Sequence, residues 1–468
     1  MDVIHISAEC YPVAKVGGLA DVVGALPKYQ KKLGVNSKVI MPFYDIEFAK
    51  KNSFKTVYNS SLILGKNNFD FRILTLTGNT LGFELFLVDV PDLLFKGYVY
   101  SDDDTDRFLA FQIAALDWIL QLDATPSIIH CHDHHTGLIP FMLSHCFKYK
   151  VLKETPSILT IHNAQYQGWF SHDKVPLIPS FNPTKIGLLD WNGTINPLAT
   201  AIKCAWQVTT VSPSYMEELK VNANGLEDLL SHEAAKCTGI LNGIDTKVWN
   251  TETDPLIIKN YSIKTLQSGK KANKKWLCNK FNLDHDKPFF AFIGRLVYEK
   301  GTDLFPDIFY KALLKKEINI LVLGSGDKQV EAKLKTLNIP FKNYYNSFIG
   351  YDESLAHKIY AGTDFLLMPS RVEPCGLNQM YALHYGTIPI VRSIGGLKDT
   401  VIDIDEGGFG ICHDKASTED VIYAIDRAVK FYKNQKDFRR TRKKCMQIDN
   451  SWNKSSQEYL SLYKSLIS

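Results

Sequence analysis

A chain of 468 residues that is 45% hydrophobic, 22% charged and 12% aromatic is too long for one core and too apolar to be disordered, so two large domains or three small ones are expected. The net charge of +4 is small for that length and argues against a general nucleic-acid-coating surface, while leaving room for a local basic site for an anionic ligand. No apolar run of ~18 residues predicts a membrane span, and the nine cysteines, an odd and scattered set without a CxxC pair, fit reduced thiols better than a disulfide framework or a zinc site.

The first residues, MDVIHISAEC, read directly as a strand, without the basic, apolar and small-residue series of a signal peptide. Val3–Ser7 is followed by a glycine-containing loop and a helical pattern from Leu19. Val22, Leu26, Tyr29 and Leu33 keep helical spacing there, with Pro27 expected to kink it. Ser37–Met41 is the next strand, which completes the strand–loop–helix–strand unit of a parallel doubly wound sheet. The second half repeats the pattern: strands at Phe289–Ile293, Ile318–Leu323, Phe365–Met368 and Ile388–Val391, and helices at Asp303–Lys315, Lys328–Leu337, Ser354–Ala361 and Leu377–Tyr385.

Between the two series, Asn242 to Lys287 is polar, lysine-rich and poor in apolar periodicity, which sets the hinge at Asn242–Asn250. The expected domains are residues 1–245 and 246–450, with 451–468 forming a closing helix, around Trp452–Leu466, that packs back on the first domain. The fold class is α/β, two Rossmann-like doubly wound domains. Such sheets bind ligands beyond the carboxyl ends of their strands, so two of them facing each other make one interdomain cleft.

The segments just past the strands carry the candidate chemistry. Lys15-Val16-Gly17-Gly18-Leu19 is neither a Walker loop nor G-x-G-x-x-G; its glycines permit close backbone approach, its helix start offers N–H groups to an anion, and Lys15 adds a charge. An ordinary turn with a surface lysine reads equally well from the local pattern. Ile128-Ile129-His130-Cys131-His132-Asp133-His134-His135 ends a strand with four histidines and a carboxylate, in a spacing that matches no zinc motif such as H-E-x-x-H. Alternation puts His130 and His132 on one face, either as a buried hydrogen-bonded strand end or as a metal-free site. Asp133 is the stronger candidate, since a carboxylate at a strand end can face positive charge developing on a sugar. His162, in Thr160-Ile161-His162-Asn163, could donate to a substrate or carry a proton, although a lone histidine is more often structural.

In the second half, Arg295 and Lys300 in Gly294-Arg295-Leu296-Val297-Tyr298-Glu299-Lys300-Gly301 suit a diphosphate, the arginine as a fork and the lysine as a point charge; the alternative is a solvated basic loop. Arg371-Val372-Glu373-Pro374-Cys375-Gly376-Leu377 leads into a helix whose first amides could hold phosphate oxygens, with Glu373 either binding sugar hydroxyls or capping the helix. Gly395-Gly396-Leu397 gives a further glycine-rich helix start, and Leu323-Gly324-Ser325-Gly326 resembles half a dinucleotide loop. No aspartate constellation suited to magnesium stands out, and no metal or cofactor is expected.

In combination these segments resemble the bacterial glycogen synthase and plant starch synthase family (glycosyltransferase family 5), retaining glucosyltransferases of the two-Rossmann GT-B fold. The ordered matches are Lys15 to Val22, His132-Asp133 with His135 and Gly137, Thr160 to Asn163 with Tyr166-Gln167-Gly168, Val211-Ser212-Pro213, Leu241 to Asp245, Gly294-Arg295-Leu296 with Lys300-Gly301, and Pro369-Ser370-Arg371 with Glu373 to Leu377. They run nearly end to end. The resemblance implies that Lys15 and Gly18 lie against the diphosphate of ADP-glucose and that Arg295 and Lys300 clamp it, with the amides near Cys375, Gly376 and Leu377. It also implies that His162 contacts the glucose, Asp133 sits near the anomeric carbon, Glu373 holds glucose hydroxyls, Asn242 lies near the sugar and Tyr351 stacks on the nucleobase.

Three departures stand out: His134 where the family often has tryptophan, Asn378 where it often has threonine, and a shorter segment at Lys96–Arg107, to which no contacts are assigned. The long amino-terminal extension of plastid enzymes is absent, which favours a bacterial, cytoplasmic protein. The implied reaction moves glucose from ADP-glucose to the non-reducing end of an α-1,4-glucan (glycogen or a maltooligosaccharide) with retention, without a metal and therefore active in EDTA; neither nucleic acid nor membrane is an expected partner. The rivals are UDP-glucose as donor, another GT-B enzyme, a non-catalytic glucan-binding protein on the same fold and, more distantly, a metal hydrolase built on the histidines. No context for a pyridoxal phosphate lysine is found, which separates the chain from the phosphorylases.

Overall fold

Short apolar runs bounded by glycine loops gather into two separate parallel-rich sheets in the computed structural model of the chain, which describes residues 1–467. The chain divides into two units, Met1–Gly243 with the closing helix from Trp452, and Ile244–Ser451.

The strands of the first unit are β1 (Asp2–Ile6), β2 (Asn36–Pro42), β3 (Phe54–Leu64), β4 (Asn67–Leu76), β5 (Glu84–Asp89), β6 (Ile128–His132), β7 (Ser157–Ile161), the two-residue β8 (Asp190–Trp191) and β9 (Thr194–Ile195), β10 (Gln207–Thr210) and β11 (Cys237–Gly239). Nine of them form one sheet in the order β11-β10-β7-β6-β1-β2-β5-β4-β3, and β8 pairs with β9 alone. Pairing is parallel from β11 to β5, with Val3 opposite Ile128 and Ile129 opposite Ser157. β6 and β7 are buried at every residue, as expected of parallel strands covered on both faces, and this burial includes the polar His130, His132, Ser157 and Thr160. The far edge departs from the expected parallel unit: β3, β4 and β5 are antiparallel, and β3 is exposed along most of its length, as antiparallel sheets allow.

The second unit contains β12 (Phe289–Ile293), β13 (Asn319–Gly324), β14 (Tyr345–Ile349), β15 (Phe365–Met368), β16 (Ile388–Arg392) and β17 (Ile411–His413), all parallel in the order β14-β13-β12-β15-β16-β17. Its core is aromatic, with Phe305 stacked on Phe309 at 4.6 Å and Phe290 on Phe365 at 4.8 Å. In each sheet the winding reverses at one place, between β1 and β6 in the first and between β12 and β15 in the second. Ligands of doubly wound sheets collect at such reversals, beyond the strand ends.

Two helices differ from the sequence reading. Gly18–Lys32 runs on through Pro27 without interruption. Leu266–Phe281 is a full helix inside the stretch that lacks apolar periodicity, because its buried face is built partly from Gly269, Lys270 and Asn273. The Lys270 ammonium donates to the Tyr360 carbonyl at 2.9 Å and Asn273 Oδ1 accepts from the Ile258 amide at 2.9 Å, so polar side chains satisfied by hydrogen bonds occupy positions that normally take leucine. The closing helix Trp452–Ile467 buries Trp452, Tyr459 and Tyr463 in one cluster with Val3, Val22, Leu26, Ile128 and Ile158.

Candidate active site

The loop after β1 is shaped by a carboxylate. Glu9, 3% exposed, accepts from the amides of Val16 at 2.5 Å and Gly17 at 3.0 Å through one oxygen and from the Tyr100 hydroxyl at 2.5 Å through the other. That pins the glycine pair at the start of the helix Gly18–Lys32, whose preceding residue Gly17 supplies no side-chain cap. A Cβ added at Gly17 or Gly18 would meet nothing within 4 Å, so the first turn faces open space. Lys15 is held beside it by Asp21 at 2.7 Å.

At the end of β6, Asp133 adopts φ 57° and ψ −177°, a region nearly confined to glycine and costly for a side chain. Its Oδ1 accepts from the His162 amide at 2.7 Å and the Asn163 amide at 3.4 Å, so these two predicted residues are brought into direct contact. Burial pushes the Asp133 carboxyl up to about 7, against the lowering effect of the two amides. His162 is itself buried, which lowers its pKa to about 3, and its Nε2 meets His132 Nδ1 at 3.0 Å. His130 and His132 do share a face, and His5 from β1 joins them, 3.1 Å from His132. His134, where the family often carries tryptophan, packs on His135 at 3.7 Å, and His135 stacks on Tyr100 at 4.7 Å. Tyr100 thereby ties the loop after β6 to Glu9. Asn242, at the end of this unit, is 5% exposed and its Oδ1 is buried without a hydrogen-bond partner, an acceptor available to a ligand.

In the second unit, Lys300 Nζ lies 2.7 and 2.6 Å from the two carboxylate oxygens of Glu373, and Ser370 Oγ donates to Glu373 at 2.9 Å. The loops after β12 and β15 are sewn together by the amides of Arg371 and Val372, which donate to the Glu299 carbonyl at 2.7 and 3.2 Å. Lys300 ends the short turn Tyr298–Lys300, and the α-helix that follows begins at Phe305, two residues later than the sequence suggests. Glu373 is not a helix cap either. The following helix begins at Asn378, five residues on, its preceding residue Leu377 makes no side-chain cap, and Asn378 Nδ2 donates to the Ile293 carbonyl at 2.7 Å. Cys375 is buried, and Gly376 holds φ 70° next to Gln379. Arg295 is exposed and makes no hydrogen bond or ion pair among the described residues, while Tyr351, just past β14, is 76% exposed.

The glycogen synthase of Flavobacterium johnsoniae is 53% identical over 470 residues, spanning 100% of this chain and 99% of the relative. The chain belongs to the bacterial glycogen synthase and starch synthase family. A glycogen synthase of Streptococcus pneumoniae (TIGR4) is 35% identical over 482 residues, covering 100% of both chains. The family model described as the starch synthase catalytic domain matches residues 2–232, and that of the glycosyl transferases group 1 matches residues 274–444. The catalytic domain of starch synthase IV from Arabidopsis thaliana, bound to ADP and acarbose, superposes with a TM-score of 0.91 at 32% identity, over 99% of each chain. A sucrose-phosphate synthase of Thermosynechococcus elongatus shares the fold, with a TM-score of 0.64 at 16% identity over 99% of this chain and 98% of the other. A member of this family is a glycosyltransferase of the GT-B fold, two Rossmann-like α/β domains.

Sequence reasoning passed over Glu9, Tyr100, His5 and Gln30. Each is an ordinary residue in its local pattern, and only contacts 7 to 127 residues away along the chain reveal its role. Among the described residues no helix is long and apolar enough to cross a membrane.

Proposed function

We propose that the chain transfers glucose from ADP-glucose to the 4-hydroxyl at the non-reducing end of an α-1,4-glucan, glycogen or a maltooligosaccharide, with retention of the α configuration. The observation that carries this reading is the likeness, over 99% of each chain, to the catalytic domain of starch synthase IV, whose structure holds ADP and acarbose. In this reading Lys15, Arg295 and Lys300 hold the diphosphate with the amides around Gly18 and Cys375 to Leu377, Tyr351 meets the base, and Glu373, Asn242 and His162 hold the glucose. Asp133 faces the anomeric carbon. An ammonium has three protons, so Lys300 can keep Glu373 and still donate to a phosphate oxygen.

Departure of the diphosphate takes the electron pair of the C1–O bond and leaves oxocarbenium character on the sugar. The acceptor oxygen bonds to C1 on the same face, and its proton passes to the departing phosphate, giving ADP and a glucan longer by one unit. Fixed cations at the leaving group are the main catalytic device, a type of contribution worth ~10²–10³ in rate per donor. Nine cysteines, none in a disulfide, support a reducing, cytoplasmic location. The deciding assay measures ADP release from ADP-glucose and UDP release from UDP-glucose, each with and without glycogen. Glycogen-dependent ADP release is expected; a preference for UDP-glucose reassigns the donor, and absence of both products overturns the reading.

A further inference from the structure

Four buried histidines of the first unit, His5, His130, His132 and His162, belong to one hydrogen-bond network that is joined at Gln30. Gln30 Oε1 accepts from Ser37 Oγ at 2.6 Å and meets His5 Nε2 at 2.8 Å. His5 Nδ1 lies 3.1 Å from His132 Nε2, and His132 Nδ1 lies 3.0 Å from His162 Nε2. The other end of the Gln30 amide is fixed too: its Nε2 donates to the Tyr463 hydroxyl at 2.9 Å, which sits 2.8 Å from His130 Nδ1. His130 Nε2 is 2.6 Å from Thr160 Oγ1, which meets Thr209 Oγ1 at 2.6 Å. Gln30, His5, His130 and His132 are fully buried.

Burial holds all four imidazoles neutral, His5 down at about 4, His162 at about 3, His130 and His132 well below the ordinary value. A neutral imidazole has one N–H and one lone pair, so each nitrogen–nitrogen contact runs in a single direction and fixes the next. A carbonyl oxygen at Gln30 requires N–H on His5 Nε2. His5 Nδ1 must then accept from His132 Nε2–H, and His132 Nδ1 from His162 Nε2–H. What remains is His162 Nδ1, which makes no hydrogen bond among the described residues.

We propose that Gln30 is a positioning residue that fixes, through His5 and His132, the Nε2–H tautomer of His162, so that an unprotonated Nδ1 is presented as acceptor to a hydroxyl of the transferred glucose. The role of His162 toward glucose rests on the function proposed above; the tautomer does not. The same chain answers the metal reading of the cluster. Nitrogens of His5, His130 and His132 lie within 4.8 Å of one another, but both ring nitrogens of each already meet a protein partner, so an ion would have to break the chain.

The test is long-range 1H–15N spectroscopy of the full chain labelled with 15N-histidine, with His162 assigned by loss of its signal in His162→Asn. The native protein is expected to show a single neutral Nε2–H tautomer at His162. Gln30→Met, which removes both ends of the amide, is expected to give a mixture of tautomers at His162 and to lower kcat/KM about tenfold, the scale of one neutral hydrogen bond. Gln30→Glu, which keeps an acceptor toward His5, restores the tautomer; thermal unfolding of both variants confirms that they fold. Nδ1–H at His162 in the native protein, or an unchanged tautomer in Gln30→Met, overturns the proposal. So does stoichiometric metal in protein purified with added zinc. A native protein that shows the tautomer but transfers no glucose would refute the function and leave the positioning intact.

Discussion

Lys300 and Glu373 come from loops after different strands, yet the ammonium lies 2.7 and 2.6 Å from the two carboxylate oxygens, and the carboxylate is only 7% exposed. Removing one partner of such a pair leaves the other desolvated and unpaired. Lys300→Ala is expected to lower kcat by ~10²–10³ through loss of a leaving-group cation, and to cost about 1–3 kcal/mol of stability through the stranded Glu373. In a cycle with Glu373→Ala, chemical denaturation should give a stability coupling of ~0.5–3 kcal/mol between the two sites. Additive stability losses, with turnover near normal in the single variants, would remove Lys300 and Glu373 from the site.

Two glycine substitutions separate ligand space from packing space. Ala at Gly18 would place its Cβ where nothing lies within 4 Å, whereas at Gly396 the Cβ would come 2.2 Å from the Cys375 carbonyl oxygen and 2.4 Å from its Cα. Gly18→Ala should therefore unfold within ~0.5 kcal/mol of the native protein, while raising KM for ADP-glucose about tenfold if the diphosphate occupies that space. Gly396→Ala should lose ~1–3 kcal/mol of stability because backbone cannot yield as a side-chain tip can. An unchanged KM in Gly18→Ala would place the diphosphate elsewhere.

Asp133 sets a pH dependence with a definite sign. Burial raises its pKa from 3.8 to about 7, so between those values the folded chain keeps a proton that the unfolded chain has lost. Raising pH across this window costs stability; the penalty is absent below it and constant above it. Asp133→Asn still offers an oxygen to the His162 and Asn163 amides, and it should abolish this part of the pH profile of Tm. If the charged carboxylate faces the sugar, native kcat also rises with pH through about 7 and the variant lacks that limb, with kcat down ~10²–10³. A native kcat flat from pH 5 to pH 8 would confine Asp133 to holding the backbone.

The two strands at the switch point of the second sheet were legible because each is an apolar run cut off by a glycine, a proline or a charge: Phe289–Ile293 and Phe365–Met368 match residue for residue. The hairpin β3–β4 was not, since its exposed face mixes polar and apolar residues and carries no run. The helix Leu266–Phe281 escaped because lysine and asparagine occupy its buried face, and their hydrogen-bond partners lie elsewhere in the chain. The capping reading of Glu373 failed for a related reason: local spacing cannot show that Lys300, 73 residues earlier, takes the carboxylate.

Glu9 shows what such long-range contacts imply for catalysis. One oxygen holds the amides of Val16 and Gly17 and the other takes the Tyr100 hydroxyl, so the carboxylate is an acceptor in all three contacts. Glutamine at this position has one acceptor and one donor, and must turn its NH₂ toward either two amides or a hydroxyl. If the NH₂ faces Tyr100, the tyrosine hydroxyl can reverse and accept, and little is lost; this is the orientation Glu9→Gln should adopt. Glu9→Gln is therefore expected to keep the loop, with KM for ADP-glucose raised no more than about threefold, on the scale of one weakened hydrogen bond. Glu9→Ala leaves two amides in a half-buried turn without an acceptor and should raise KM at least tenfold and cost about 1–3 kcal/mol in thermal unfolding. Tyr100→Phe, which keeps the ring on His135, should behave like Glu9→Gln. If Glu9→Ala binds donor normally, the loop at Lys15–Gly18 is held by the Lys15–Asp21 pair instead, and Glu9 has no part in presenting it.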